Sequence, residues 1–462
     1  MVCQRDRIRA EIGVGESMRW RPVTMTVAAV LGMAFLTGAG AATGSLAPAA
    51  AGAPAGAAAQ GGTWDTAAEI PGSNRLNHGG QATIGTVSCP SATNCGAGGS
   101  YTSGFSSTAP IVQAFVVNKT ANIWRQAQEV PGTAALNTGG NAKINSVSCA
   151  APGDCSAGGY YSDASGHEQA FVVTQTNGTW GSAKEIPGSG ALNAGGSARV
   201  NSMSCGAPGN CAAGGQYASK TVDGIATVQA FVASETGGTW GQAKEVPGTA
   251  TLNGGGYATV NSVSCPSAGN CSAGGSYTTA TPATQAFVVS ETSGTWGKAR
   301  VVPGSPVLNK RGLAQINSVS CSSVGNCSAD GFYLDASFNT QAFVVSESGG
   351  TWGSAEEIPG SAALDKHAPG AMADSVSCGA PGDCSATGSY TDASGALQAF
   401  VADQSGGTWG SAEEVPGTAA LNGGGHAVAQ SVSCAPGGGL CNAVGQYQNV
   451  KLNTQVFAVS QS

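Results

Sequence analysis

The last stretch of the chain, TQVFAVSQS (454–462), decides the fold by what does not follow it. Six earlier copies, such as QAFVVSETSGTWG (285–297) and QAFVVSESGGTWG (341–353), run on through a Gly-rich turn into a Thr-Trp segment. The last copy stops at the turn.

Working outward, these copies belong to a repeat of 56 to 60 residues marked by cysteine pairs: Cys89/Cys95, Cys149/Cys155, Cys205/Cys211, Cys265/Cys271, Cys321/Cys327, Cys378/Cys384 and Cys434/Cys441. A period of this length signals a propeller, solenoid or array. Each unit carries four strand-like runs punctuated by turn residues. Strand A reads ATVNSVSC (258–265), B CSAGGSYT (271–278) and C TQAFVVSE (284–291), while D is of the type GTWGSAKEIPG (178–188). The A–B link is a short hairpin inside the cysteine pair, and the C–D link a tight Gly hairpin. The B–C link (TDASG, 391–395) is longer, and the D–A link (PGTAALNTGG, 131–140) is longest.

The strand order explains the ending. A lone D-type segment, GGTWDTAAEIPG (61–72), precedes the first A strand; six A-B-C-D units follow, and the last unit ends after C. In a ring the first D completes the last blade. An open array would leave bare strand edges, which are templates for unwanted pairing. The expectation is an all-β, closed seven-bladed β-propeller of four antiparallel strands per blade over residues 60–462, with the N-terminal strand completing the last blade.

Residues 1–59 read as a leader. Arg19 and Arg21 precede a 14-residue apolar run (23–36), followed by Ala-, Gly- and Pro-rich sequence with small-residue cleavage sites. This is the order of a secretory signal peptide. The run is short of the roughly 20 residues that span a bilayer. Export, even number and regular spacing predict that all fourteen paired cysteines form disulfides, one per blade. Cys3 lies in the leader. No C-x2-C cluster or neighbouring His suggests a metal.

Charged residues make up only 10% of the chain, against about 25% in typical soluble proteins. The leader holds five basic and three acidic residues, so of 19 basic and 26 acidic side chains 14 and 23 remain, a net charge of −9. Such a chain is unsuited to nucleic acid, whose phosphates require clustered Lys and Arg. No membrane contact beyond the signal segment, no cofactor and a monomeric state are expected.

The stretches SETGGTW (234–240), SETSGTW (290–296), SESGGTW (346–352) and TQTNGTW (174–180) fall on the C–D hairpin. They resemble the Asp box of sialidase-like propellers, S-x-D-x-G-x-T-W, but are one residue shorter and usually have Thr or Ser for the Asp. The whole unit, over 61–462, also resembles uncharacterised exported propeller repeats of actinobacteria, a likeness that implies architecture and no reaction. Sialidase chemistry would imply three Arg converging on a carboxylate. Beyond the leader only Arg75, Arg125, Arg199, Arg300 and Arg311 are present, and only Arg199 lies on an inner strand. No acid–base pair of the glycosidase kind, Ser-His-Asp set or phosphate loop stands out.

Three repeated side chains have simple structural explanations. One Trp per unit (64, 124, 180, 240, 296, 352, 409) suits inter-blade packing, with sugar stacking as the alternative. The Glu before Pro-Gly (69, 129, 185, 245, 357, 414) suits a solvated, edge-protecting charge. The loop Asn (77, 137, 193, 253, 309, 422) suits left-handed turn geometry.

Departures from the repeat concentrate in the D–A loops. The second to fourth loops carry no charge. The first holds Arg75 and His78, the fifth Lys310 and Arg311, the sixth Lys366 and His367, and the seventh His426. Ring closure would make these loops consecutive, a cationic arc on one face of an acidic protein. Loops on a rigid scaffold are where binding residues gather. The expectation is a secreted, non-catalytic recognition or scaffold module whose partner is an anionic glycan, a cell-surface polymer or a protein. The alternatives are a sialidase-like hydrolase and a structural cell-surface protein without a discrete ligand.

Overall fold

The computed structural model describes residues 69–91, 93–107 and 109–461. The leader, the export signal and most of the 61–72 segment lie outside these residues. The described chain is an all-β seven-bladed propeller. Its blades occupy residues 82–129, 142–185, 198–245, 258–301, 314–357, 372–414 and 427–460. No helix among the described residues is long and apolar enough to cross a membrane.

Blade 4 shows the pattern. Strand A (Ala258–Ser267), B (Asn270–Thr278) and C (Thr284–Thr292) form an antiparallel meander. Strand D is not one continuous run. Thr295–Trp296 pairs with the end of strand C, then Gly297–Ala299 leaves the ladder, and Arg300–Val301 pairs further back with Phe287 and Val288. The D–A link contains a single helical turn, Thr249–Leu252, entered through Gly248 at φ 89°. Glycine occupies this left-handed position without a Cβ penalty. Among the described residues blade 7 shows three strands.

The core lies between blades, not within them. Val232 and Val246 of blade 3 pack with Val260, Val263, Tyr277 and Phe287 of blade 4. Equivalent clusters join the other consecutive pairs. Each fully buried Phe or Val adds about 1.5–3 kcal/mol. Polar bonds reinforce the seam: in strand A, hydroxyls of one blade accept from amides of the next, as Ser202 does from Val263 N and Ser204 from Cys265 N. Six interfaces carry this pair of bonds. At the seventh position Ser431 and Ser433 of blade 7 are exposed. Ile84 and Val87 of blade 1, which correspond to the sealing Val260 and Val263, are 49% and 61% exposed.

The Gly-Gly pair of strand B serves two purposes. A Cβ on the second glycine would lie 1.9 Å from a strand-A carbonyl oxygen at Gly275 and at Gly331. All seven blades keep this glycine. A Cβ on the first would meet the next blade: at Gly274, Ile316 Cγ2 at 2.6 Å. This position becomes Asp330, Thr387 and Val444 in the last three blades.

All seven expected disulfides are present, each tying strand A to strand B of its own blade: Cys89–Cys95, Cys149–Cys155, Cys205–Cys211, Cys265–Cys271, Cys321–Cys327, Cys378–Cys384 and Cys434–Cys441. They indicate an oxidising environment. The two ends of each staple differ, which the spacing did not foretell. The strand-B cysteines Cys95, Cys155, Cys211, Cys271, Cys327, Cys384 and Cys441 are all buried, and so is Cys265 of strand A. The expected pairing holds, and the strand-B sulfurs in addition belong to the core. The physical reason is the direction strand B faces. Its sulfurs point at the preceding blade, where Cys327 Sγ lies 3.5 Å from Ser272 Oγ and Cys384 Sγ 3.4 Å from Ser328 Oγ. Likewise Ser385 Oγ approaches Cys441 Sγ at 3.2 Å. Cys155 and Cys211 have the same place in their own blades, and both are at most 5% exposed. Cys95 of blade 1 is the most exposed of the strand-B cysteines, at 9%. Each disulfide thus closes its own hairpin, and those of blades 2 to 7 also fill a seam.

Candidate functional site

The D–A and B–C loops share one face, and buried asparagines hold them there. Asn253 Nδ2 donates to Val228 O and Gln229 Oε1, while Asn193 Oδ1 accepts from Ser197 N. These residues have φ near −80°, so the left-handed geometry expected from the sequence is corrected. Their preference for the position comes from tying strand C to the loop. On the same face, a single parallel bridge links each of the first six blades to its successor, as Thr284 to Leu313 and Leu397 to His426.

Five of the seven expected ligand-site residues fall on three consecutive blades: Lys310 and Arg311, Lys366 and His367, then His426. Two are tethered by the same device. Arg311 Nε donates to Ala336 O at 2.8 Å, and His367 Nε2 lies 3.0 Å from Ala393 O, each carbonyl being in the B–C loop of the same blade. The Arg311 guanidinium also sits 4.1 Å from the Phe338 ring centroid. Such contacts restrict a long side chain before any ligand arrives. Arg75 bonds to Gln126 of its own blade's D strand. His78 lies on the same blade-1 loop.

Three carboxylates neighbour this arc: Asp365, beside Lys366, is partly buried, and burial first raises its pKa, while Asp335 and Asp392 are engaged in their own loops. Asp335 accepts from Ser337 N and Asn339 N. Asp392 does so from Ser394 N and Ala396 N. Partial burial would raise the Asp392 pKa, but bonds from Ser394 and Gln398 outweigh it and lower the pKa to about 2. The Asp392 charge is therefore fixed inward across the physiological range.

The Glu before Pro-Gly is not an edge-protecting charge. In five blades it accepts the hydroxyl of a buried strand-B Tyr, for example Tyr333 to Glu357 at 2.6 Å. Burial first and the carboxylate second raise these tyrosine pKa values. Repetition in five blades marks the pair as part of the scaffold. Blade 4 has Val301 there, and no side-chain hydrogen bond is recorded for its Tyr277. Arg199 is paired with Glu168 of the preceding blade and stacks near Tyr160. The described tryptophans pack at the seams, and Trp180 and Trp409 are buried there. Trp64 lies outside the described residues. Among the described residues no group of three or more His, Cys, Asp or Glu is placed to hold a metal.

No protein-family model matches the chain, and no curated protein matches it. Solved structures similar to it include the β-propeller domain of the Trilobed protease from Pyrococcus furiosus, described as having an open velcro topology. That match has 7% identity and a TM-score of 0.43, covering 82% of this chain and 97% of that one. A PL25 ulvan lyase is 10% identical with a TM-score of 0.43, covering 80% and 92%. The fucose-specific lectin from Aleuria aurantia is 12% identical with a TM-score of 0.32, covering 72% and 95%.

Proposed function

We propose that the protein is a secreted, non-catalytic recognition module that binds anionic glycans through the D–A face of blades 5 to 7, extended by Arg75 and His78 where the ring closes. The observation that carries this is the pair of tethers, Arg311 to Ala336 O and His367 to Ala393 O. Two neighbouring blades use the same loop position to hold a basic side chain, and Asp335 and Asp392 beside them are engaged by their own loops. In a chain of net charge −7, a local cationic arc attracts polyanions that the rest of the surface repels. The disulfide-stapled blades supply the rigid support that loop recognition requires.

A glycan array paired with a fluorogenic glycoside panel tests this directly. Binding to acidic glycans with no turnover is expected, weakening as salt rises. Combined Lys310→Ala, Arg311→Ala and Arg75→Ala substitution should weaken retention on acidic glycans. Unchanged retention would remove the arc as the site, and turnover of a glycoside would favour the hydrolase alternative.

A further inference from the structure

The outer rim carries a second pattern, on different blades. At each seam a Trp from one blade faces the D strand of the preceding blade. Between blades 2 and 3, Trp240 faces Lys184 across a cleft of about 310 Å3 that Thr174 and Ser182 also line. Between blades 4 and 5, Trp352 faces Arg300 and Lys298 across an equivalent cleft of about 200 Å3, with Ser290 on the wall. Between blades 3 and 4 the same positions hold Trp296 and Lys244.

The three seams share two further features. Their tryptophans are partly exposed, whereas Trp180 and Trp409, at the seams before and after, are only 5% exposed. Those flanking seams place Gln128 and Glu356 where the cation would be. Behind each exposed Trp lies a buried carboxyl, Glu235, Glu291 or Glu347, where the flanking seams have Gln175 and Gln404. At two seams this carboxyl fixes the indole through a hydroxyl. Trp296 Nε1 donates to Ser234 Oγ, which donates to Glu291 at 2.6 Å. Trp240, Thr174 and Glu235 repeat the chain. Lys184, Lys244 and Arg300 are exposed and make no salt bridge among the described residues.

An oriented aromatic wall opposite an unpaired cation recognises a ring with one apolar face and one negative group. Three such sites at consecutive seams suit a polymer that repeats this unit. We infer that the clefts between blades 2–3, 3–4 and 4–5 form a second binding surface for acidic polysaccharide. Each takes one uronate residue, with the sugar's C–H face on the indole and its carboxylate on Lys184, Lys244 or Arg300. This surface shares no residue with the D–A face, so either can fail alone.

The test is a titration of the full chain with galacturonic acid hexamer, read by tryptophan emission, with maltohexaose as the neutral control. The hexamer should shift or quench the emission, and maltohexaose should bind at least about tenfold more weakly. Combined Lys184→Ala, Lys244→Ala and Arg300→Ala substitution should weaken hexamer binding by about tenfold or more without lowering the melting temperature. Lys310→Ala with Arg311→Ala should leave the emission change intact. Silence up to about 10 mM hexamer, a weak interaction on any scale, would overturn the inference. Equal binding of maltohexaose would also overturn it, as would rim-variant affinity within about twofold of the parent.

Discussion

Two neighbouring seams solve one packing problem in opposite ways. Between blades 4 and 5, Gly274 leaves room for Ile316, and Asn261 Nδ2 donates to Ile316 O. Between blades 5 and 6 the glycine is Asp330 and the isoleucine is Ala373; Asp374 stands on the strand-A position that Asn317 holds in blade 5. The exchange conserves volume: a side chain gained on one blade is offset by one lost on the next. It does not conserve chemistry. Asp330 has no exposed surface, and its carboxyl makes no well-formed hydrogen bond, with only the Ser318 amide near enough to lower its pKa slightly. Burial first, and nearby Asp374 second, raise its pKa well above the usual carboxylate range. Burial also pushes Asp374 up to about 6. At this packing position the first seam has no titrating group and its neighbour has two.

The largest effect should come from forcing the second solution onto the first seam. Gly274→Asp would place an unpaired carboxyl against Ile316, and a loss above about 4 kcal/mol or insoluble protein is expected. Adding Ile316→Ala should recover part of the loss, because the two positions share one space. Denaturant titration of both variants measures this.

The next effect depends on pH. Both Asp330 and Asp374 bind protons more tightly folded than unfolded. Their contribution is therefore fully present below about pH 4 and is lost as pH rises through about 6 for Asp374 and through the raised pKa of Asp330. Asp330→Asn removes the buried charge, so it should stabilise by on the order of 2–3 kcal/mol at pH 8 and by little at pH 4. Melting curves at the two pH values give the difference. An equal shift at both would contradict a buried carboxyl.

A smaller effect should be the same at both seams. Each disulfide closes a loop of about seven residues, so Cys321→Ser/Cys327→Ser and Cys378→Ser/Cys384→Ser should each cost about 2 kcal/mol. The smallest separates blade 4 from blade 5. Tyr333→Phe removes the bond to Glu357 and should cost about 1 kcal/mol. Tyr277→Phe, opposite Val301, should be nearly neutral by the same denaturant assay.

The repeat itself made the blade count, strand order and every disulfide partner legible, because periodic cysteines and alternating β-branched runs are local signals. The contacts that join blades were not legible. Ser202 to Val263 N, or Gly274 against Ile316, involve residues of different copies, and nothing within a single copy predicts them. For that reason the spacing paired Cys378 with Cys384 but did not show that Cys384 would be buried against Ser328 of the preceding blade. The loop asparagines and the Glu before Pro-Gly were misread similarly: their partners lie on a neighbouring strand of the blade. One signal was available. Asp330 and Ala373 both break the repeat, and comparing copies in register would have paired them. The cationic positions on the D–A face were visible as departures from the repeat, but their tethers to the B–C loop were not.

Closure of the ring is what would bring Arg75 and His78 beside His426 and cover Ile84 and Val87. It is tested most directly by thermal melting of two chains, one starting at residue 60 and one at residue 73. If GGTWDTAAEIPG completes the last blade, the shorter chain should melt lower and aggregate through the uncovered edge of Thr454–Ser460. If the two chains melt alike and both stay monomeric, the segment is not part of the ring and blade 7 ends with three strands.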